Sequence, residues 1–174
     1  MDHQADASET PAIPTLAAVC GLFCEACSIY IASREDPERL ALLAARFGQS
    51  EEETYCEGCR AGKRMAYCRS CTMFVCASER GLAFCSECVE YPCKDLLAFG
   101  AERPHRADIE KGLEQIGQIG AEAWMDEMRR RYTCPECGTI NSAYDLKCRR
   151  CGHEPGNAFV DEHREAIVER LSQL

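Results

Sequence analysis

Between Asp36 and Gly48 the chain reads as a helix. Asp36 supplies a cap, Pro37 suits the first helical position, Leu40, Leu42, Leu43 and Phe47 recur along its length, and Gly48 stops it. An earlier helix is expected over 28–34, entered from Cys24 or Cys27, and a short one after Pro92, through Leu96, Leu97 and Phe99 to Gly100. Past Pro104, the spacings of four and three between Ile109, Leu113, Ile116 and Ile119 predict an amphipathic helix that weakens at Gly117 and Gly120 and resumes over 121–131. Val160, Ile167, Val168, Leu171 and Leu174 lie near one face of a last helix. Strand signals are scarce, and apolar stripes of this kind are ordinarily core-facing scaffold.

Such stripes are thin support for a chain of 174 residues. Leu, Ile, Val and Phe together make up about 18%, below the level at which a charged chain usually folds on burial alone. Cysteine, with 15 residues, is several times commoner than usual. No apolar run approaches a membrane span, and residues 1–15, with three acids and no Lys or Arg, resemble neither a secretory signal nor a mitochondrial presequence. A cytoplasmic location is therefore expected, where thiols bind metals or do redox chemistry rather than form structural disulfides.

The expected architecture is a small, metal-stabilised, mostly α protein. Residues 1–15 form a disordered polar tail, 16–100 a cysteine-rich multi-knuckle domain, 101–131 a helical connector, 132–153 a zinc ribbon and 154–174 a terminal helix. Twelve cysteines pair as C-x-x-C: Cys24/Cys27, Cys56/Cys59, Cys68/Cys71, Cys85/Cys88, Cys134/Cys137 and Cys148/Cys151. This spacing aims two thiolates at one metal. The last two pairs, each followed by a glycine and separated by ten residues, predict a ribbon in which four thiolates close a tetrahedral structural site. Its few apolar residues, Tyr132, Ile140, Tyr144 and Leu146, leave its folding energy to the metal.

A repeat is hidden in the first block. A 17-residue shift carries Cys68, Cys71 and Cys76 onto Cys85, Cys88 and Cys93, Tyr67 onto Phe84, and Phe74 onto Tyr91. Cys20, Cys76 and Cys93 stand outside the pairs. Eleven ligands make two tetrahedral sites with three left over, or three sites if a non-cysteine ligand joins, with His105 the nearest candidate. His105 otherwise reads as an exposed residue at a helix start, and the leftover cysteines equally as small buried hydrophobes. Linear order leaves open which of the eleven share a metal.

Cys20-Gly-Leu-Phe-Cys24-Glu-Ala-Cys27-Ser-Ile-Tyr-Ile-Ala, then Cys56-Glu-Gly-Cys59-Arg, the paired C-x-x-C-x4-C units and Tyr91-Pro-Cys93 resemble the DUF3795 family of small cysteine-rich prokaryotic proteins, often described as zinc-binding. The resemblance covers roughly residues 18–100. Pro104-His105-Arg106 and the ribbon resemble a common extension of that family. The resemblance implies metal binding and no activity.

The expected function is a multi-site zinc protein acting as a non-catalytic interaction or adaptor module for a protein partner. Closed four-thiolate sites leave no open coordination position, and no catalytic constellation is found. The alternative is an iron–sulfur protein, because Cys20-x3-Cys24-x2-Cys27 has the spacing that holds a three-thiolate cluster. Nucleic-acid contact is a third reading. The net charge of −9 opposes it, but Arg129, Arg130, Arg131, Lys147, Arg149 and Arg150 make residues 128–151 locally positive. Thiol redox sensing through Cys20, Cys76 or Cys93 ranks last.

Overall fold

The computed structural model describes residues 13–173, and among them it is helical, with two isolated antiparallel bridges, Ala17 to Phe23 and Thr133 to Ile140. The expected tail thus falls mostly outside the described residues, as does Leu174. Helices α1 (Ser28–Glu35) and α2 (Pro37–Phe47) pack together, and α2 begins as its sequence dictates: the Asp36 carboxylate accepts the Arg39 N–H at 2.9 Å, and Gly48 ends it at φ +64°. Its buried face is narrower than expected. Leu40 and Ala44 are buried, while Leu42, about half a turn away, is 73% exposed and Phe47 44% exposed.

Three short helices follow that hydrophobic spacing does not announce: α3 (Glu51–Thr54), α4 (Ala66–Arg69) and α5 (Thr72–Glu79). The first rests on a reciprocal cap, in which the Ser50 side chain accepts the Glu53 N–H and the Glu53 carboxylate accepts the Ser50 N–H. Then come α6 (Lys94–Ala101), α7 (Ile109–Ile119) and α8 (Ala121–Tyr132), the last two hinged at Gly120 with φ +82°. The expected terminal helix divides at His163 into α9 (Ala158–Glu162) and α10 (Arg164–Ser172).

The core lies where α7 to α10 meet the loop 16–26. Leu113, Trp124, Phe159, Val160 and Ile167 are fully buried there beside Ala17 and Phe23. Phe23 meets Trp124 edge-on and stacks on Tyr132, and Tyr132 stacks on Phe159 with centroids 5.1 Å apart. Each such pair contributes about 0.5–1.5 kcal/mol beyond its buried area. The loop can come this close because of two glycines: a Cβ on Gly21 would lie 2.6 Å from the Ile109 carbonyl oxygen, and one on Gly112 would lie 2.9 Å from the Gly21 carbonyl oxygen. The segment that carries Cys20 and Cys24 is therefore part of the helical core.

Candidate metal centres

The ribbon is built by two turns of the same pattern. Gly138 N–H returns to the Cys134 carbonyl at 3.0 Å and Gly152 N–H to the Cys148 carbonyl at 2.9 Å, with both glycines at positive φ. Cys134 N–H reaches the Thr139 carbonyl and Cys148 N–H the His153 carbonyl, so each turn holds its two cysteines on one side. The four sulfurs of Cys134, Cys137, Cys148 and Cys151 lie within 4.8 Å of one another. Cys134 and Cys151 are 3.7 Å apart and Cys137 and Cys148 3.5 Å, against about 3.8 Å for a tetrahedron with metal–sulfur bonds of about 2.3 Å. This tetrad can hold a metal ion.

Neighbours favour the thiolate form at two of the four positions. The Thr139 hydroxyl and N–H lower the Cys137 thiol, and Cys148 is drawn down to about 6: its burial opposes the shift, and the Cys151 and Arg150 N–H groups with the Asn141 amide outweigh it. Asn141, fully buried, ties the turns together, donating to the carbonyls of Thr139 and Gly156 and accepting the Arg149 N–H at 3.0 Å. Asn157 donates to the Ser142 carbonyl and caps α9 by accepting the Val160 N–H. Cysteine spacing does not reveal Asn141. Asn157, directly before a helix, was readable as a cap.

The ribbon is fastened to α1 and α2. Arg39 makes a two-pronged contact with the Asp145 carboxylate at 3.0 and 3.3 Å and donates to the Ser142 hydroxyl, while Arg149 pairs with Glu35. His105 is half-buried rather than exposed, with Nδ1 2.7 Å from the Tyr144 hydroxyl. Burial first, then Arg106 and Arg103, hold its imidazole down at about 3, so it is neutral. No cysteine shares a ligand-distance cluster with it among the described residues, and its partner is the phenol.

The eleven N-terminal cysteines are arranged more loosely. Among the described residues no three of them bring their sulfurs within 4.8 Å of one another, and Cys20, Cys24 and Cys27 do not converge. Burial raises the Cys20, Cys24, Cys59 and Cys68 thiols and pushes Cys85 up to about 12, with neighbouring thiols adding to the effect. The two copies of the 17-residue repeat differ locally: Cys76 lies inside α5, whereas Cys93 caps α6. Cys20 and Cys56 are buried, and Cys27 and Cys76 reach solvent.

Residues 16–98 match the model of a family described as a protein of unknown function, DUF3795. This part of the chain is a DUF3795 domain. The tetrad at 134–151 lies beyond the match, so the DUF3795 domain holds the eleven loosely gathered cysteines and the preformed site belongs to the C-terminal part of the chain. No curated protein and no solved structure matches the chain.

Arginine accompanies the sulfurs of the DUF3795 domain. Arg60 donates through Nε to the Ala17 carbonyl at 2.8 Å and through Nη2 to the Ala83 carbonyl, strapping the loop 16–26 to the segment before Cys85. Arg80 donates to the Cys88 sulfur at 3.2 Å. Of the six cations singled out around the ribbon, Arg129 pairs with Glu25 and Asp126, Arg131 with Asp108 and Glu162, Lys147 with Glu154 and Arg149 with Glu35. Asp108, Glu162 and His163 form a second convergent cluster, and Arg131 already bridges its two carboxylates. Among the described residues, no helix is long and apolar enough to cross a membrane.

Proposed function

We propose that this protein is a multi-site zinc protein whose ions are structural and which serves as a non-catalytic interaction module. The observation that carries the reading is the ribbon tetrad, whose sulfur separations of 3.5 and 3.7 Å already approach a tetrahedral thiolate cage. Four cysteine ligands leave no position for water or substrate, which suits a site that holds a fold and not one that turns over. The alternative iron–sulfur reading needs the sulfurs of Cys20, Cys24 and Cys27 on one cluster, and these three do not lie within ligand distance of one another, whereas the four of the ribbon tetrad do. A protein partner is preferred to a nucleic acid because four of the six cations near the ribbon already have carboxylate partners within the chain.

Elemental analysis with a visible spectrum, on protein purified without oxygen or chelator, tests the reading. Three or more zinc ions per chain in a colourless solution are expected. Iron with acid-labile sulfide and a brown chromophore overturns it in favour of cluster chemistry. RNA or DNA affinity falling steeply with salt on a log–log plot overturns the choice of partner.

A further inference from the structure

The net charge of −9 conceals one stretch of opposite sign. Residues 58–78 carry Arg60, Lys63, Arg64 and Arg69 and no carboxylate. Arg60 is spent inside, on the carbonyls of Ala17 and Ala83. The other three line a cleft of about 530 Å³ formed with α2 and α3. Glu51 and Glu52 of α3 line it as well, so its α3 side is acidic and its 62–69 side basic, and Leu40 and Tyr55 give it an apolar surface.

Local structure holds these charges in place and apart. The Glu57 N–H donates to the Lys63 carbonyl at 2.9 Å and closes the loop that presents Lys63, whose ammonium lies 5.7 Å from the centroid of the Tyr55 ring. Arg64 lies over the Phe74 ring at 3.8 Å, and Arg69 donates through Nη1 to the Arg64 carbonyl at 3.0 Å. Lys63 and Arg69 are exposed and Arg64 is half-buried. Arg39, Arg131 and Arg149 all have carboxylate partners, whereas none of Glu51, Glu52, Lys63, Arg64 and Arg69 is in an ion pair among the described residues. Arg64 also has its Nε and Nη1 buried without an acceptor, a costly state for a guanidinium.

Resting on the interaction-module reading above, we infer that this cleft binds an acidic peptide segment of a protein partner, with its carboxylates on Lys63, Arg64 and Arg69. Charge selects the ligand, because three cations without carboxylate partners gather at one cleft of an acidic chain. Carboxylates match a guanidinium in geometry as well as in charge, and stacking on Phe74 leaves Arg64 little ordering still to lose. Leu40 and Tyr55 receive an uncharged flank of the peptide, since Glu51 and Glu52 repel a further acidic residue on their side.

A nucleic acid fits less well. Its phosphates recur at every nucleotide, so a strand laid along the basic side also brings phosphate towards Glu51 and Glu52. A peptide confines its charge to one or two positions and leaves the acidic side untouched. All the residues that line the cleft fall within the match to DUF3795, so the partner contact is assigned to that domain and not to the ribbon.

Fluorescence anisotropy of a fluorescein-labelled peptide with two adjacent glutamates among alanines, titrated with the full chain at low salt, tests the inference. The peptide should bind, and its glutamine counterpart should not. Lys63→Ala with Arg69→Ala should weaken binding about five- to tenfold, as the loss of two exposed ion pairs allows. Glu51→Gln with Glu52→Gln should strengthen it about twofold. Lys94→Ala with Lys111→Ala, exposed cations outside the cleft, should leave it unchanged. The four altered cleft positions are exposed, so the helical circular dichroism of each variant should match the parent's. No binding at millimolar peptide, or an affinity indifferent to Lys63 and Arg69, overturns the inference. Oligouridylate bound more tightly than the peptide through the same two cations overturns it in favour of RNA. Binding that appears only with Asp2→Asn, Asp6→Asn and Glu9→Gln overturns it in favour of the chain's own acidic residues. Metal content read on the same samples separates the two claims: zinc absent with binding intact sinks the structural-zinc reading alone, and zinc present without binding sinks this inference alone.

Discussion

Asn141 shows how much one uncharged side chain can carry. It satisfies two carbonyls and one N–H at the junction of the two ribbon turns, inside a segment with little apolar surface. Asn141→Ala strands those groups and should cost about 2–3 kcal/mol, at about 1–3 kcal/mol for each buried group left unmatched after partial relaxation. Denaturant unfolding at a fixed free concentration of the bound metal checks this, and the variant should also lose that metal to a competing chelator at lower chelator concentration. His105 makes a pH prediction. Its folded value of about 3 lies below its ordinary value of about 6.5, so between those limits the unfolded chain takes up a proton that the folded chain refuses. Stability from this group is complete above pH 6.5 and falls on acidification, by at most about 1.4 kcal/mol per pH unit. Unfolding free energies measured from pH 7 to 4.5 should therefore fall less steeply for His105→Phe than for the parent chain. Both chains share the thiolate titrations, so the difference in slope isolates the imidazole.

At the scale of elements, legibility followed from whether a segment's neighbours were local. The cap, proline and glycine of α2 act within the helix they delimit, and the four-three spacing of α7 marks the face that Leu113 and Ile116 bury, so both were readable. The ribbon was readable for the same reason, since its ligands and turns lie within 18 residues. Leu42 misled because it is apolar on the exposed side of α2. The short helices α3 to α5 escaped because their few residues are organised by caps and by cysteines, not by a stripe. The docking of ribbon on α1 and α2 escaped because Arg39 and Asp145 are 106 residues apart, and nothing at either position names the other. Arg39→Ala should release this contact, costing about 2 kcal/mol as a charge-assisted, largely buried pair. Amide hydrogen exchange should then speed up in residues 140–149 and hardly change in α8. Arg39→Lys should restore little, since an ammonium cannot reproduce the fork. Gly21→Ala forces a Cβ against the backbone of α7 from a left-handed conformation, and a loss of about 2–4 kcal/mol in chemical denaturation is expected.

Across the whole molecule, burial and sulfur divide the labour of holding the chain together. The rings and aliphatics of α7 to α10 close a core of apolar side chains, whereas the ribbon's interior is little more than its sulfurs, Asn141, Ser142 and Ala143. Removal of metal should accordingly be graded. On titration with a strong chelator, amides of 133–153 should lose protection first, while those of Leu113 and Trp124 stay slow to exchange. A single cooperative loss everywhere would mean that the core depends on sulfur too.

The stack of Tyr132 on Phe159 sets the ribbon's place in the chain. These two rings flank it in sequence and touch in space, so the 26 residues between them leave the body and return to nearly the same point, like a purse drawn shut at its neck. A loop closed in this way is insensitive to its own contour length, because doubling it adds only about 0.6 kcal/mol of closure entropy. The exposed tips between the paired cysteines, at Pro135-Glu136 and Arg149-Arg150, are pinned by the turns. The stretch 142–147 instead carries the docking contacts. Extra length inserted at the neck would thus cost the body little, provided the two rings still meet, whereas removing the loop would also remove the contacts of 142–147 with α2 and His105.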